Sequence, residues 1–111
     1  MFDINFEFTK GVLFVRIEGR INSISSVSIE KSIIDIIIEG GIKYLVLNIN
    51  NLIIDGDISL FDNCYKYIKK NKGKMFICGL KDNLDKKIGS NYKYCGKINN
   101  ELTVLRLLNV C

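Results

Sequence analysis

The chain has 111 residues, of which 48% are hydrophobic and 25% charged, and its formal net charge at pH 7 is +4. This length and balance suit a single folded domain, residues 1–111, and exclude an intrinsically disordered chain. The longest apolar stretch, residues 33–38, contains Asp35 and is far shorter than the roughly 20 residues that cross a bilayer. The start of the chain lacks the pattern of a signal peptide, so we expect a cytoplasmic protein.

The first two predicted elements are strands. Residues 2–8 alternate apolar with polar side chains, which is the period of a strand with one face in solvent. Lys10 and Gly11 supply a turn, and residues 12–18 form a more apolar strand that Gly19 is expected to end. The sequence therefore predicts an N-terminal β-hairpin.

A helix and a buried strand follow. Apolar side chains recur every three or four positions between Ser25 and Glu39, which predicts an amphipathic helix. Ser25 or Ser26 is the expected N-cap, and a pair of glycines ends the helix. Residues 44–49 are almost continuously apolar, as is typical of a central strand covered on both faces.

A second helix is predicted over about residues 57–71. The preceding Asp55-Gly56-Asp57 can form a turn, and either aspartate can cap the helix with its carboxylate. The helix ends in a lysine-rich segment, after which Gly73 is expected to adopt positive φ.

The rest of the chain predicts shorter elements. These are a buried strand at 75–78, a short helix at 84–88, a strand at 92–95 and a last helix from residue 99 or 100 to 108. The resulting order, β-β-α-β-α-β-α-β-α, requires crossover connections between parallel strands. We therefore predict an α/β fold with a mostly parallel sheet, an N-terminal antiparallel hairpin and helices packed on the sheet.

The inventory of reactive side chains argues against an enzyme. The chain has no histidine, so it lacks the commonest general base near neutral pH and the usual partner of a serine or cysteine nucleophile. Its four cysteines are widely spaced without a CxxC pair, so we expect reduced thiols and no metal or other cofactor. These cysteines are Cys64, Cys78, Cys95 and Cys111.

Three segments together resemble the STAS domain family, which includes anti-sigma factor antagonists and the cytoplasmic tails of sulphate transporters. Residues 11–22, GVLFVRIEGRIN, are similar to the family's hairpin strand, and residues 44–52, YLVLNINNL, to its hydrophobic strand followed by Asn or Asp and Leu. A helix that ends in a glycine before residues 75–78 continues the resemblance. The likeness covers nearly the whole chain.

The resemblance implies a non-enzymatic regulator of transcription in bacterial sporulation or stress signalling. Such a protein docks on a serine kinase that also serves as an anti-sigma factor, and it has no small-molecule substrate. In the family, the loop before the second helix reads Asp-Ser-Ser-Gly-Leu or Asp-Ser-Thr-Gly-Leu, and its second hydroxyl residue is phosphorylated. Phosphate at that residue weakens docking.

This sequence departs from the family pattern in that loop, residues 54–59, which is one residue shorter. Alignment from Asp55 places Asp57 at the phosphoacceptor position, whereas alignment from the helix places Gly56 there and Ile58 at the family's Leu. Three interpretations stay open. Asp57 imitates a phosphate with one negative charge where phosphoserine carries nearly two, Ser59 is a displaced phosphoacceptor, or the switch has been lost.

The resemblance places the partner-binding surface on this loop and on the exposed face of the second helix. The candidate residues are Asp55, Gly56, Asp57, Ile58, Ser59, Asp62, Asn63 and Lys66. A structural role as helix caps also explains Asp55 and Asp57 without any partner. The two carboxylates do not predict a metal site, because no third ligand lies near them in the sequence.

Two other functions stay open beside the anti-sigma antagonist. A STAS subunit that stabilises a larger assembly, such as a lipid-transporting ABC system or a stressosome-like scaffold, is favoured by the missing acceptor hydroxyl. A nucleic-acid-binding module is suggested by charge, because residues 63–111 hold eleven basic and three acidic side chains, against five and nine in residues 1–62. The helix dipole and solvation explain these lysines better than nucleic-acid binding does, so nucleic acid is the less favoured partner. We expect a monomer or a weak dimer.

Overall fold

A computed structural model describes residues 2–56, 59–79, 97–98, 101–102 and 106 of the chain. The predicted helix at 84–88 and strand at 92–95 lie outside these residues, as does most of the predicted last helix. The described elements, in chain order, are β1 (Phe2–Thr9), β2 (Val12–Ile21), α1 (Ser23–Gly40), β3 (Tyr44–Asn48), β4 (Leu52–Ile54), α2 (Leu60–Lys70), β5 (Lys74–Cys78) and β6 (Lys97–Ile98). No helix in this part of the chain is long and apolar enough to cross a membrane.

The predicted N-terminal hairpin is confirmed. β1 and β2 are antiparallel, and both turn residues between them have positive φ, 53° at Lys10 and 79° at Gly11. These angles suit the right-handed twist of the two strands. The prediction that Gly19 ends the second strand is wrong, because β2 continues to Ile21. Beyond Gly19, β2 pairs with β4, a neighbour supplied by a distant part of the chain.

All the other strand pairs in the described part of the chain are parallel, as the mixed α/β prediction requires, and β3 lies at the centre of the sheet. The sheet order is β1-β2-β3-β5-β6, with β4 paired to the far end of β2. Alternate side chains of β2, β3 and β5 point to opposite faces. One face packs with α1 and α2 into the larger core, and the other carries a smaller cluster that includes Phe14, Val46 and Phe76.

The first helix buries Ile29, Ile33 and Ile37 against the sheet, as its periodicity predicts. Its predicted N-cap is wrong. Asn22 is the N-cap, and its Oδ1 accepts hydrogen bonds at 2.9 Å from the backbone N–H groups of both Ile24 and Ser25. The Ser25 hydroxyl oxygen in turn accepts from the Asn22 N–H at 2.9 Å. The helix begins earlier than predicted because this reciprocal capping box already satisfies its free N–H groups.

The second helix begins at Leu60, later than the predicted residue 57, and its N-cap is Ser59. Positive φ after the helix falls on Lys72, at 60°, and not on Gly73 as predicted. Gly73 is needed for a different reason. A β-carbon there would overlap the backbone carbonyl of Lys43, which accepts a 2.8 Å hydrogen bond from the Lys74 N–H.

Two of the predicted reduced thiols, Cys64 and Cys78, are free and buried. Burial raises the pKa of each thiol to about 12, so both are protonated at neutral pH. A protonated, buried thiol is a poor nucleophile and a poor metal ligand. Cys95 and Cys111 lie outside the described residues.

A polar cluster anchors helical residue Glu101 to the face of the sheet opposite α1 and α2. The Arg16 guanidinium donates to both carboxylate oxygens of Glu101, at 2.9 and 2.7 Å, and Asn48 Nδ2 donates to one of them at 2.9 Å. Burial alone would raise the pKa of Glu101, but these hydrogen bonds outweigh it and hold that pKa below its usual value of 4.5. The folded state therefore favours the ionised form of this carboxyl group.

This depressed pKa predicts a specific pH dependence of stability. At pH 7 the substitution Glu101→Gln should lower the free energy of unfolding by about 1–2 kcal/mol. Ionised Glu101 stabilises the fold above the usual carboxyl pKa of 4.5. That stabilisation disappears as the pH falls through the lower folded-state pKa, so the two proteins should converge in acid. Urea unfolding of both proteins across this pH range measures the difference, and a constant difference would contradict the assignment.

Candidate docking surface at the start of the second helix

Asp55 is positioned by the parallel pair β2 and β4, whose last residues, Ile21 and Ile54, are paired in register. The Asp55 backbone N–H donates to the Ile21 carbonyl at 2.8 Å. Its carboxylate pairs with the Arg20 guanidinium at 3.2 Å, and both side chains are about half exposed. Asp55 is thus held at the surface by the ends of β2 and β4, and its ion pair with Arg20 faces solvent.

Asp55 does not cap the second helix, contrary to one of the two roles considered for it. The helix starts at Leu60, so Ser59 is the N-cap residue, and the Asp55 carboxylate is engaged by Arg20 on the neighbouring strand. Gly56, which follows, has φ of +85° and can adopt it because it has no β-carbon. The predicted site residues Asp57 and Ile58 lie outside the described residues.

Ser59 and Asn63 bind the same carboxylate on the first helix. The Ser59 hydroxyl donates to Glu30 Oε1 at 3.1 Å, and Asn63 Nδ2 donates to Glu30 Oε2 at 3.0 Å. Ser59 makes no side-chain capping bond to its own helix. Both oxygens of Glu30 therefore hold the first turn of α2 against α1.

The other two predicted helix residues lie nearby. Asp62 is half-buried in the first turn of α2, where a negative charge suits the positive end of the helix dipole. Lys66 is exposed and, with Asn63, lines a groove of about 690 Å³ between α1 and α2. Ser59, Asn63 and Lys66 thus lie along one flank of α2, and Asp55 lies at the end of β4.

Sequence reasoning missed two residues that organise this surface, Arg20 and Glu30. Arg20 falls after the predicted end of the second strand, and Glu30 lies on a different helix from Ser59 and Asn63, which it holds. Residues 52–54 are all apolar, so the sequence shows no alternation there. Only the structure shows β4, in which Leu52 and Ile54 are buried and Ile53 is exposed, and β4 places Arg20 beside Asp55.

The described surface offers hydrogen-bonding and charged groups in fixed positions. These groups are the exposed Arg20–Asp55 ion pair, the Ser59 hydroxyl and Asn63 amide bound to Glu30, and the exposed Lys66 ammonium. No group of three His, Cys, Asp or Glu side chains within the described ranges could share a metal ion. Such an arrangement suits recognition of a partner's polar groups.

Comparison with known proteins assigns the family. The model of the STAS domain family matches residues 3–101. The anti-sigma factor antagonist SpoIIAA in its unphosphorylated form superposes with a TM-score of 0.76 at 12% identity, covering 96% of this chain and 98% of that chain. The Bacillus cell fate determinant SpoIIAA in its phosphorylated form gives a TM-score of 0.75 at 14% identity, covering 95% and 99%. These likenesses show that the fold is shared, and the family match extends over nearly all of the sequence, so the chain belongs to the STAS domain family.

Proposed function

We propose that residues 1–111 act as one non-enzymatic regulatory module that docks on a protein partner. The docking surface is the segment Asp55 to Ser59 together with Asp62, Asn63 and Lys66, and the partner is a kinase-like anti-sigma factor. The observation that carries this proposal is the double attachment of the segment. The Arg20–Asp55 ion pair holds one end, and the Glu30 hydrogen bonds hold the other.

The attached residues at the two ends of the segment, Asp55 and Ser59, are suited to recognition of a partner. Their side chains lose less conformational freedom on binding than unattached side chains would, so more of the contact energy appears as affinity. The SpoIIAA fold supports a role in protein–protein interaction, since the protein with that name is described as an anti-sigma factor antagonist.

We further propose that Ser59 is not the phosphoacceptor of a switch. Its hydroxyl donates to Glu30, so a phosphate there would replace a hydrogen-bond donor with nearly two negative charges beside a carboxylate. That repulsion would separate the start of α2 from α1. The module then works either without phosphorylation or with Asp57 as a permanent negative charge.

The site assignment predicts that Asp55→Lys weakens docking by about tenfold or more, because it removes the ion pair with Arg20 and reverses a surface charge. The partner is first captured from native extract with the tagged protein and identified by mass spectrometry, and its purified form is then titrated calorimetrically. Asp35→Lys is the matched control, since Asp35 is exposed on α1 and outside the surface. It should change affinity by less than about twofold.

A folded Asp55→Lys protein with unchanged affinity would refute the assignment. The same preparation, incubated with the partner and ATP, tests the switch, because mass spectrometry should find no phosphate on Ser59. Phosphate on Ser59 would instead make it a displaced acceptor.

A second candidate function is a STAS subunit within a larger assembly, such as an ABC lipid-transport system or a stressosome-like scaffold. It is favoured by the same engaged hydroxyl, because an assembly subunit needs no phosphorylatable side chain. Capture of such an assembly in place of a kinase-like ATPase would support this function over the antagonist.

A further inference from the structure

The groove between α1 and α2 has two chemically different walls. It has a volume of about 690 Å³ and continues along α2 beyond the docking surface. Its lining residues are Glu30 and Ile34 on α1 and Asn63, Lys66, Tyr67, Lys69 and Lys70 on α2. The end near Ser59 is closed by the Glu30 hydrogen bonds.

On the α1 side of the groove, Ile34 is the apolar lining residue and Glu30 the charged one. Ile38 lies one turn beyond Ile34 on the same stripe of the helix and is 59% exposed, so these two side chains form a short apolar strip. Val27 is also 59% exposed, but the charged residues Glu30 and Lys31 lie between it and Ile34 on the helix. Exposed apolar side chains beside a groove are a feature of interaction surfaces.

The α2 side of the groove is basic. Lys66, Lys69 and Lys70 are exposed, and their spacing of three and four positions places them on one flank. The Lys70 ammonium lies 4.9 Å from the centre of the Tyr67 ring. Every ion pair within the described part of the chain has Arg16 or Arg20 as its cation, so these lysine charges remain available to an anionic partner.

We propose that this groove binds an acidic amphipathic helix of the protein partner. The inference rests on the proposed docking function and specifies the chemistry of what docks. The apolar side chains of the bound helix pack on Ile34 and Ile38, and its glutamates or aspartates face the lysines of α2. A helix in a groove is recognised through apolar anchors on one face, and complementary charge sets its orientation.

Two other occupants match the walls less well. The chain's own residues 80–96 contain four lysines and two aspartates, so their charge opposes binding beside the lysines of α2. Single-stranded RNA would neutralise the lysines and place a base on Tyr67, but would leave the apolar strip of α1 in water.

The test uses a synthetic helical peptide of about five turns, with leucines on one face and glutamates on one flank. A control peptide carries lysine at each glutamate position. Each peptide is titrated into the isotope-labelled full chain and followed by NMR. The acidic peptide should bind saturably, with chemical-shift changes concentrated on Ile34, Tyr67 and Lys69. Its affinity should exceed that of the control by about tenfold and fall as salt is raised.

Matched variants localise the interaction. The double variant Lys69→Glu with Lys70→Glu should reduce acidic-peptide affinity by about tenfold. Lys43→Glu with Lys74→Glu makes the same charge change at exposed positions outside the groove and should alter affinity by less than about twofold. Equal losses in both variants, shifts spread over the surface, or tighter binding of a single-stranded RNA of similar charge would each overturn the proposal.

The two proposals can fail separately. Asp55→Lys should lower the affinity for the captured partner but leave the affinity for the acidic peptide unchanged, because Asp55 does not line the groove. If the peptide fails to bind while partner affinity still depends on Asp55, only the groove inference falls. If the peptide binds and partner affinity is insensitive to Asp55, the docking surface of the proposed function falls.

Discussion

Shortening Leu47 to alanine is expected to lower the free energy of unfolding by about 2–5 kcal/mol, because it removes buried methyl groups and leaves a cavity. Leu47 is fully buried on β3, the central strand, where it pairs in register with Val15 on one side and Ile77 on the other. All three side chains belong to the core that α1 and α2 cover. Urea unfolding followed by circular dichroism measures the loss.

Ile38→Ala is the matched control for this substitution. It removes a similar aliphatic volume from a side chain that is 59% exposed, so the free energy of unfolding should change by less than about 1 kcal/mol. Equal losses at the two positions would contradict the placement of β3 at the centre of the sheet.

Replacing Gly73 with alanine should also be strongly destabilising, by about 3 kcal/mol or more. The added methyl group would overlap the Lys43 carbonyl, and the backbone cannot move away without breaking hydrogen bonds. The Gly73 N–H donates to Ile68 at 2.9 Å, and the adjacent Lys74 N–H donates to Lys43 at 2.8 Å. Thermal unfolding of the variant measures the effect.

Gly40→Ala separates this close approach from the general effect of adding a methyl group. Gly40 is the last residue of α1, and a β-carbon there would meet the end of the flexible Ile42 side chain at 3.2 Å. The stability of this control should stay within about 1 kcal/mol of the original protein, since alanine also favours the helix. A Gly73→Ala protein that unfolds like Gly40→Ala would show that the backbone around Lys43 adapts freely.

The parts of the fold predicted from sequence are those that local periodicity determines. Alternation in residues 2–8 and the repeat of isoleucines in α1 reflect contact with the larger core, and the apolar run in β3 reflects burial on both faces of the sheet. All three elements are present. β4 was missed because its three residues are all apolar and too few to define a period. The extension of β2 to Ile21 depends on that same strand, so one short element caused both errors.

The position of the candidate site is a prediction from the resemblance, whereas the contacts that hold it are seen only in the structure. The resemblance indicated the segment before the second helix, but the side chains that hold it come from elsewhere. Arg20 reaches Asp55 only because β2 and β4 pair, and Glu30 reaches Ser59 only because α1 packs beside α2. These contacts join residues about 30 positions apart, and nothing in the local pattern of either segment encodes them.

The parallel pairing of the sheet also bears on how the chain assembles. The hairpin is the one strand pairing among the described residues that joins sequence neighbours. Val12 pairs with Tyr44, and Tyr44 with Lys74, so the central strands meet only after loops of about 30 residues have closed. Helices inside those loops shorten the distance to be closed, and the early hairpin provides an edge on which β3 can add. The order of folding is therefore expected to run from the N-terminal hairpin through α1 and β3 toward β5.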